Sequence, residues 1–285
     1  MKQVNRNTME PNEFCLDLIR KHDHDRYLTT LYAPENRRAA LASLYAFNYE
    51  ISRVRESVSD PMLGEIKIAW WRESIAEIYE NKTKEHDILK SLSPAIHHYK
   101  LPLEVFNQIL DQRGTDLYDE LPKTYDALES YFDATAGSLL KLACHILGAD
   151  VKAGHIKYLA LIWGYVGHAR AIPYHLSLRK KYIPLELLEQ EGFDGNIGPG
   201  PDQLEQVQNI VKIFGKRAQK SLDLLHAERK NIPQAARSAF LLAPLARSYL
   251  KTMAKADYNP FQLHEKQDEM FRQWKLFTSV LFNRL

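Results

Sequence analysis

The residues of this 285-residue chain that could do chemistry gather on two stretches of helical pattern. Tyr45, Tyr49, Ser52 and Glu56 fall within about 60° of one another if residues 35–57 form one helix. Hydroxyls, an acid and aromatic rings on one face make an unusual wall for an apolar core, and Arg53 and Arg55 flank it. The structural alternative is an ordinary helix surface, with Arg53 paired to Glu50 or Glu56. The second stretch is "GYVGHARAIPYHLSLRKKYIPLELL", residues 164–188, where Gly167, Ala171 and His175 recur at a spacing of four. Arg170 and Tyr174 lie beside that line, and Pro173 interrupts it. A proline in a helix interior removes a hydrogen bond and bends the axis, and such a bend can wall a cavity. The other reading is that the helix ends at Ile172.

Other chemically suggestive runs carry less. In "KHDHDRY", residues 21–27, consecutive helical residues point about 100° apart, so His22 and His24 cannot share a metal while helical. A solvated helix end is expected there, and also at His97–His98. Cys144 lies among apolar neighbours and reads as a buried structural thiol. With only Cys15 beside it, no disulfide framework or metal-ligand spacing follows. No Ser-His-Asp signature, Gly-rich phosphate loop or CxxC motif occurs.

The elements that must position these residues are helical almost throughout. Apolar residues make up 45% of the chain and charged residues 26%, with 12 glycines and 13 prolines, and no long run alternates as a strand would. In 201–230, Leu204, Val207, Val211, Phe214, Ala218, Leu222 and Leu225 step by three or four. Other helices are expected near 11–22, 35–57, 61–80, 102–112, 125–147, 152–180, 233–255 and 263–283. "EGFDGNIGPGPDQ", residues 191–203, reads as a surface loop rather than a domain linker. In the C-terminal helix Met270, Trp274, Phe277 and Leu281 form a stripe suited to a core staple or to a membrane interface, the latter aided by Arg272, Lys275 and Arg284.

A formal net charge of +2 leaves no global footprint for nucleic acid. The first residues hold no apolar signal core, and the most apolar run, residues 158–167, is far shorter than the ~20 residues of a spanning helix. The expectation is a cytoplasmic protein, with peripheral membrane contact open.

Four segments together resemble the squalene/phytoene synthase family over most of the length. They are "DRYLTTLYAPENRRAALASLYAF" (25–47), "EIKIAWWRESIAEIY" (65–79), "RGTDLYDELPKTYDALESYFDATAGSLL" (113–140) and "KKYIPLELLEQEG" (180–192). The resemblance implies an all-α fold, an isoprenoid-synthase-type helical bundle around a central cavity, as one domain over 1–285. Enzymes of that family join two prenyl diphosphates head to head, with aspartates on two helices holding Mg²⁺ against the departing diphosphate.

Carried over residue by residue, that metal site is degenerate. The motif D-x-x-x-D reads Ser52 and Glu56 here. The motif N-x-x-x-D-x-x-x-D, aligned without gaps on Tyr182–Pro184, reads Gly167, Ala171 and His175. Only Glu56 keeps a carboxylate, and imidazole is a poor ligand for Mg²⁺. Residues 152–180 contain no Asp or Glu that could replace the second set. Tyr45, Arg170, Tyr182 and Pro184 match the surrounding motif context.

A narrower likeness is to the family's non-catalytic branch, that of the mitochondrial complex I assembly factor with a phytoene-synthase-like domain and its bacterial relatives. It implies a pseudoenzyme that assists respiratory complex I assembly without a cofactor. Its expected partners are complex I subunits or assembly intermediates, with anionic or isoprenoid lipid and the inner-membrane surface as further contacts (on the matrix side in a eukaryote), and no nucleic acid. Tyr45, Arg53, Arg170, Tyr174, His175 and Tyr182 are then the ligand-binding candidates. The alternative is an active prenyl transferase with a rearranged Mg²⁺ site.

Overall fold

The computed structural model describes residues 9–118, 120–177, 182–192, 203–263 and 269–281. These residues are helical with no strand among them. In chain order the helices are α1 (Pro11–His22), α2 (His24–Leu31), α3 (Glu35–Ser52), α4 (Pro61–Tyr79), α5 (Asp87–Tyr99), α6 (Leu103–Thr115) and α7 (Tyr125–Phe132). There follow α8 (Ser138–Leu147), α9 (Ala153–Ser177), α10 (Leu185–Gln190), α11 (Leu204–Ala227), α12 (Arg237–Phe240), α13 (Leu242–Lys255) and α14 (Glu269–Leu281). They form two compact units, neither continuous in sequence. The first comprises 1–118, 138–151 and 233–239, and the second 119–137, 152–232 and 240–285. Most of the expected loop at 191–203 lies outside the described residues.

In the first unit α3 packs against α1, α2, α5, α6 and α8. Its run of small and apolar residues from Ala40 to Phe47 is buried on nearly every side, which explains why its hydrophobic pattern is not that of a half-exposed helix. Phe47 anchors the packing, with the rings of Trp71 and Phe106 edge-on at 5.5 and 5.4 Å. Helix α4 starts cleanly because the Asp60 carboxylate accepts from the Met62 backbone N–H at 2.7 Å and Pro61 takes the first helical position.

Two helices that the sequence reading passed over, α2 and α5, belong to this unit. Helix α5 continues through Pro94, whose missing N–H removes one bond at a cost that burial of Ile88, Leu89, Leu92, Ala95 and Ile96 offsets. "KHDHDRY" is a solvated helix end only at Lys21 and His22, where α1 stops. The rest is the break between α1 and α2 at Asp23, where Asp25 is buried and Arg26 pairs with Asp23 at 2.7 Å. His97 and His98 are exposed, as expected.

In the second unit α9 is the central element, packed against α7, α11 and α13, with α14 on α13. The expected apolar stripe of α11 is buried from Val207 to Leu225. Tyr165, Phe132 and Phe214 form its core, with Tyr165 5.1 Å from Phe132 and 5.4 Å from Phe214. The close approach of α9 to α7 needs a glycine: a Cβ on Gly164 would lie 2.3 Å from the Phe132 ring. The expected continuous helix over 125–147 is interrupted by a π-helical turn, Asp133–Gly137, which carries the chain from the second unit into the first.

Candidate functional site

The first degenerate motif sits where α3 runs out. Beyond Ser52 the backbone bonds tighten from i−4 to i−3, with Arg53 N–H on Glu50 and Val54 N–H on Ile51, and Arg55–Ser57 form a 3₁₀ turn. The single helix expected over 35–57 therefore ends five residues early, and Glu56 leaves the face shared by Tyr45, Tyr49 and Ser52. The Ser52 hydroxyl donates to the Tyr49 carbonyl at 2.8 Å. Glu56 Oε2 lies 3.9 Å from Arg53 Nε.

Arg53 also donates to the Tyr49 hydroxyl and stands 5.1 Å from its ring centroid, while His22 stacks on that ring at 4.8 Å. A guanidinium thus occupies the neighbourhood of Glu56. Arg55 is half-buried on the 3₁₀ turn. Tyr45 lies deeper on α3, buried, with Arg26 5.7 Å from its ring. Desolvation pushes its phenol well above the ordinary tyrosine range, the Arg26 charge opposing only part of that.

The second motif lies on α9, which does not stop at Ile172 but runs through Pro173 to Ser177. Pro173 costs the bond to the Ala169 carbonyl. Gly167 faces open space, since a Cβ there would meet nothing within 4 Å. Ala171 and His175 are half-buried. The His175 ring contacts Tyr182 at 4.7 Å and Tyr174 at 5.7 Å. Tyr174 is 48% exposed and therefore does not fill the unit's interior. Arg170 reaches across to α13, its guanidinium carbon 3.9 Å from the Tyr249 ring centroid. Arg272 from α14 approaches the same residue, Nη1 to the Tyr249 hydroxyl at 3.5 Å.

Two residues of this arrangement, His168 and Tyr249, escaped the sequence reading, and a third, Arg272, was read only as an aid at a membrane interface. His168 joins Tyr182 at 6.2 Å and Phe132 at 4.7 Å, so aromatic rings run continuously from α7 to Tyr182. Its seven-residue spacing from His175 was the available signal. The meeting of Tyr249 and Arg272 carried no signal, because only packing of α9, α13 and α14 brings them together. Behind α9 the Tyr165 hydroxyl donates to Glu129 at 2.7 Å, and Arg217 donates to the same carboxylate at 3.0 Å. Burial first, then that bond to an anion, holds the Tyr165 phenol far above its ordinary range.

The donors at the five motif positions do not fit Mg²⁺, which prefers carboxylate, carbonyl and water oxygens in octahedral array. One hydroxyl is engaged with its own helix, one carboxylate faces an arginine, two positions carry no donor, and the last is an imidazole packed on tyrosine. Among the described residues no group of three or more His, Cys, Asp or Glu side chains is placed to hold a metal ion. Both thiols are buried, and desolvation pushes Cys15 and Cys144 up to about 12 each, in keeping with structural roles.

The sequence is 30% identical over 252 residues to a Homo sapiens protein named NADH dehydrogenase (ubiquinone) complex I, assembly factor 6, covering 88% of this chain and 76% of that one. It is 28% identical over 266 residues to the Mus musculus protein of the same name, covering 93% and 80%. In three dimensions it is similar to a dehydrosqualene synthase solved with a ligand, at a TM-score of 0.79 and 16% identity over 96% of both chains. That likeness establishes the all-α isoprenoid-synthase fold. The squalene/phytoene synthase family model matches residues 19–277, nearly the whole chain, and the protein belongs to the squalene/phytoene synthase family.

Proposed function

We propose that this chain is a non-catalytic member of its family that assists the assembly of respiratory complex I. The observation that carries the reading is the chemistry at the five motif positions. Ionising an allylic diphosphate leaves a concentrated negative charge that a hard cation must stabilise, and the only retained carboxylate, Glu56, faces Arg53 at 3.9 Å. The relatives of about 30% identity that carry the name of complex I assembly factor 6 supply the process. Deleting the gene in its host should lower assembled complex I and leave carotenoids and hopanoids unchanged. Loss of an isoprenoid product with complex I intact would refute it.

The same site supports a finer reading: the α9 surface around Arg170, Tyr174, His175 and Tyr182 holds an anionic group without metal. On that alignment Ala171 and His175 stand where the family has acids, which shifts the local sign toward positive, and guanidinium can hold phosphate or carboxylate directly. Calorimetric titration with a prenyl phosphate and with a phospholipid headgroup, each with and without EDTA, tests it. Binding unaffected by EDTA and weakened about tenfold by Arg170→Ala is expected. Binding that appears only with Mg²⁺ overturns this reading, and Mg²⁺-dependent turnover of farnesyl diphosphate abolished by Glu56→Ala would restore the prenyl transferase alternative.

A further inference from the structure

Helix α4 is apolar on both sides. Ile68, Trp71, Ile75 and Ile78 are buried in the first unit. On the opposite side Met62, Leu63 and Ile66 are 68%, 50% and 60% exposed, and Ala69 beside them is exposed too. These four span about 120° of the helical wheel. A helix that is apolar all round is ordinarily covered all round, and a contiguous exposed patch marks a contact surface where scattered single residues do not. The patch is held firmly. Asp60 and Pro61 fix the first turn of α4, and Gly64 leaves no room for a Cβ against Leu117.

Two charges border the patch. Glu65 and Lys67 lie about 100° to either side of Ile66, on opposite edges where they do not face each other. The Tyr118 hydroxyl donates to Glu65, and Lys67 donates to the Ser57 hydroxyl at 3.0 Å. Among the described residues each charge is therefore positioned by a hydroxyl rather than neutralised by an opposite charge.

We propose that this face of α4 docks an amphipathic helix of another protein, one with a basic residue on the edge facing Glu65 and an acidic residue on the edge facing Lys67. An apolar centre between two charged edges is how one helix reads another, seam against seam and edge against edge. An extended segment would not match it, because its side chains alternate between two faces and none lies along its edges. Charges already held in place lose little freedom on docking. The patch is on the order of a few hundred Å², so the contact falls in the transient size class.

A second copy of the chain fits worse. In an antiparallel pair centred on Ile66 a twofold axis keeps like edges together, setting Glu65 against Glu65 and Lys67 against Lys67. A parallel pair would set Glu73, exposed and next on the line of Met62, Ile66 and Ala69, against itself. The stripe read on α14 is also exposed: Trp274, Phe277 and Leu281 face outward while Leu276 and Ser279 are buried, so it is not a core staple. It has no matching pair of edges, since Arg272 turns to Tyr249. The inference on α4 rests neither on the role in complex I assembly nor on the anion site of α9.

The test is fluorescence anisotropy of three labelled, designed helical peptides against the full chain. All three carry leucines at alternating spacings of three and four. One has lysines on one edge and glutamates on the other, the second lysines on both, the third glutamates on both. Wild-type protein should bind the mixed-edge peptide at least about threefold more tightly than either of the others. Lys67→Glu should move that preference to the peptide with lysines on both edges. Ile66→Asp should weaken all three at least about tenfold at unchanged helicity. If Ile66→Asp misfolds, the Lys67→Glu comparison decides, and an unchanged preference there refutes the proposal. Failure of wild-type protein to bind any peptide overturns it, as does equal affinity for the three or a folded Ile66→Asp that binds fully. A wild-type dimer that Ile66→Asp makes monomeric overturns it in favour of a self-interface. Partition onto phosphatidylcholine vesicles that Ile66→Asp abolishes overturns it in favour of lipid.

Discussion

The Arg170 guanidinium lies 3.9 Å from the centroid of the Tyr249 ring, joining α9 to α13. A double-mutant cycle with Arg170→Ala and Tyr249→Leu should give a coupling of about 0.5–1 kcal/mol, the worth of a cation–π pair whose cation stays exposed. Tyr249→Phe should keep most of it, because the ring face rather than the hydroxyl meets the cation. Zero coupling in chemical denaturation would show that the guanidinium is solvated instead.

Two glycines one turn apart on α9 should respond oppositely to alanine. Gly164→Ala drives a methyl into the Phe132 ring, at 2.3 Å, and should destabilise by about 1–3 kcal/mol as overpacking does. Gly167→Ala adds a methyl in open space and should stabilise by up to ~1 kcal/mol through helix propensity. Denaturant midpoints at constant m-value decide both signs.

Alkaline stability should carry the signature of the two thiols. Burial raises Cys15 and Cys144 from 9.0 to about 12, so the native state keeps protons that the unfolded state releases. Raising pH therefore favours unfolding. These thiols contribute no pH dependence well below 9, and stability declines progressively from about 9 toward 12. Cys15→Ala with Cys144→Ala should flatten that decline in urea melts. The native protein should also resist thiol reagents until it is denatured.

His155 is fully buried in the first turn of α9, its Nε2 2.9 Å from Glu228 Oε2, and its Nδ1 has no hydrogen-bond partner among the described residues. That geometry puts the proton on Nε2, donating to the carboxylate. Glu228→Ala would leave a buried N–H unanswered and should cost about 1–3 kcal/mol. Nitrogen NMR shifts of the ring should report the Nε2–H tautomer in the wild type. An Nδ1–H tautomer would contradict the assignment.

Much of this molecule was legible in its sequence, and for a local reason. The stripe from Val207 to Leu225 repeats at helical spacing, so neighbours on the chain alone determine both the helix and its buried face. The family likeness was legible too, because residue identity needs no coordinates.

What the sequence could not decide depended on atoms distant along the chain. Pro173 read as a plausible stop, yet α9 continues through it to Ser177, since tertiary burial outweighs one missing hydrogen bond. Helix α3 stops at Ser52 although its propensities permit continuation to residue 57, and that early end takes Glu56 off the face of Tyr45, Tyr49 and Ser52. The stripe on α14 was periodic whichever way it faced. Periodicity gives a helix its apolar faces but not their partners, and only the packing of α14 on α13 through Leu276 and Ser279 left Trp274, Phe277 and Leu281 outside.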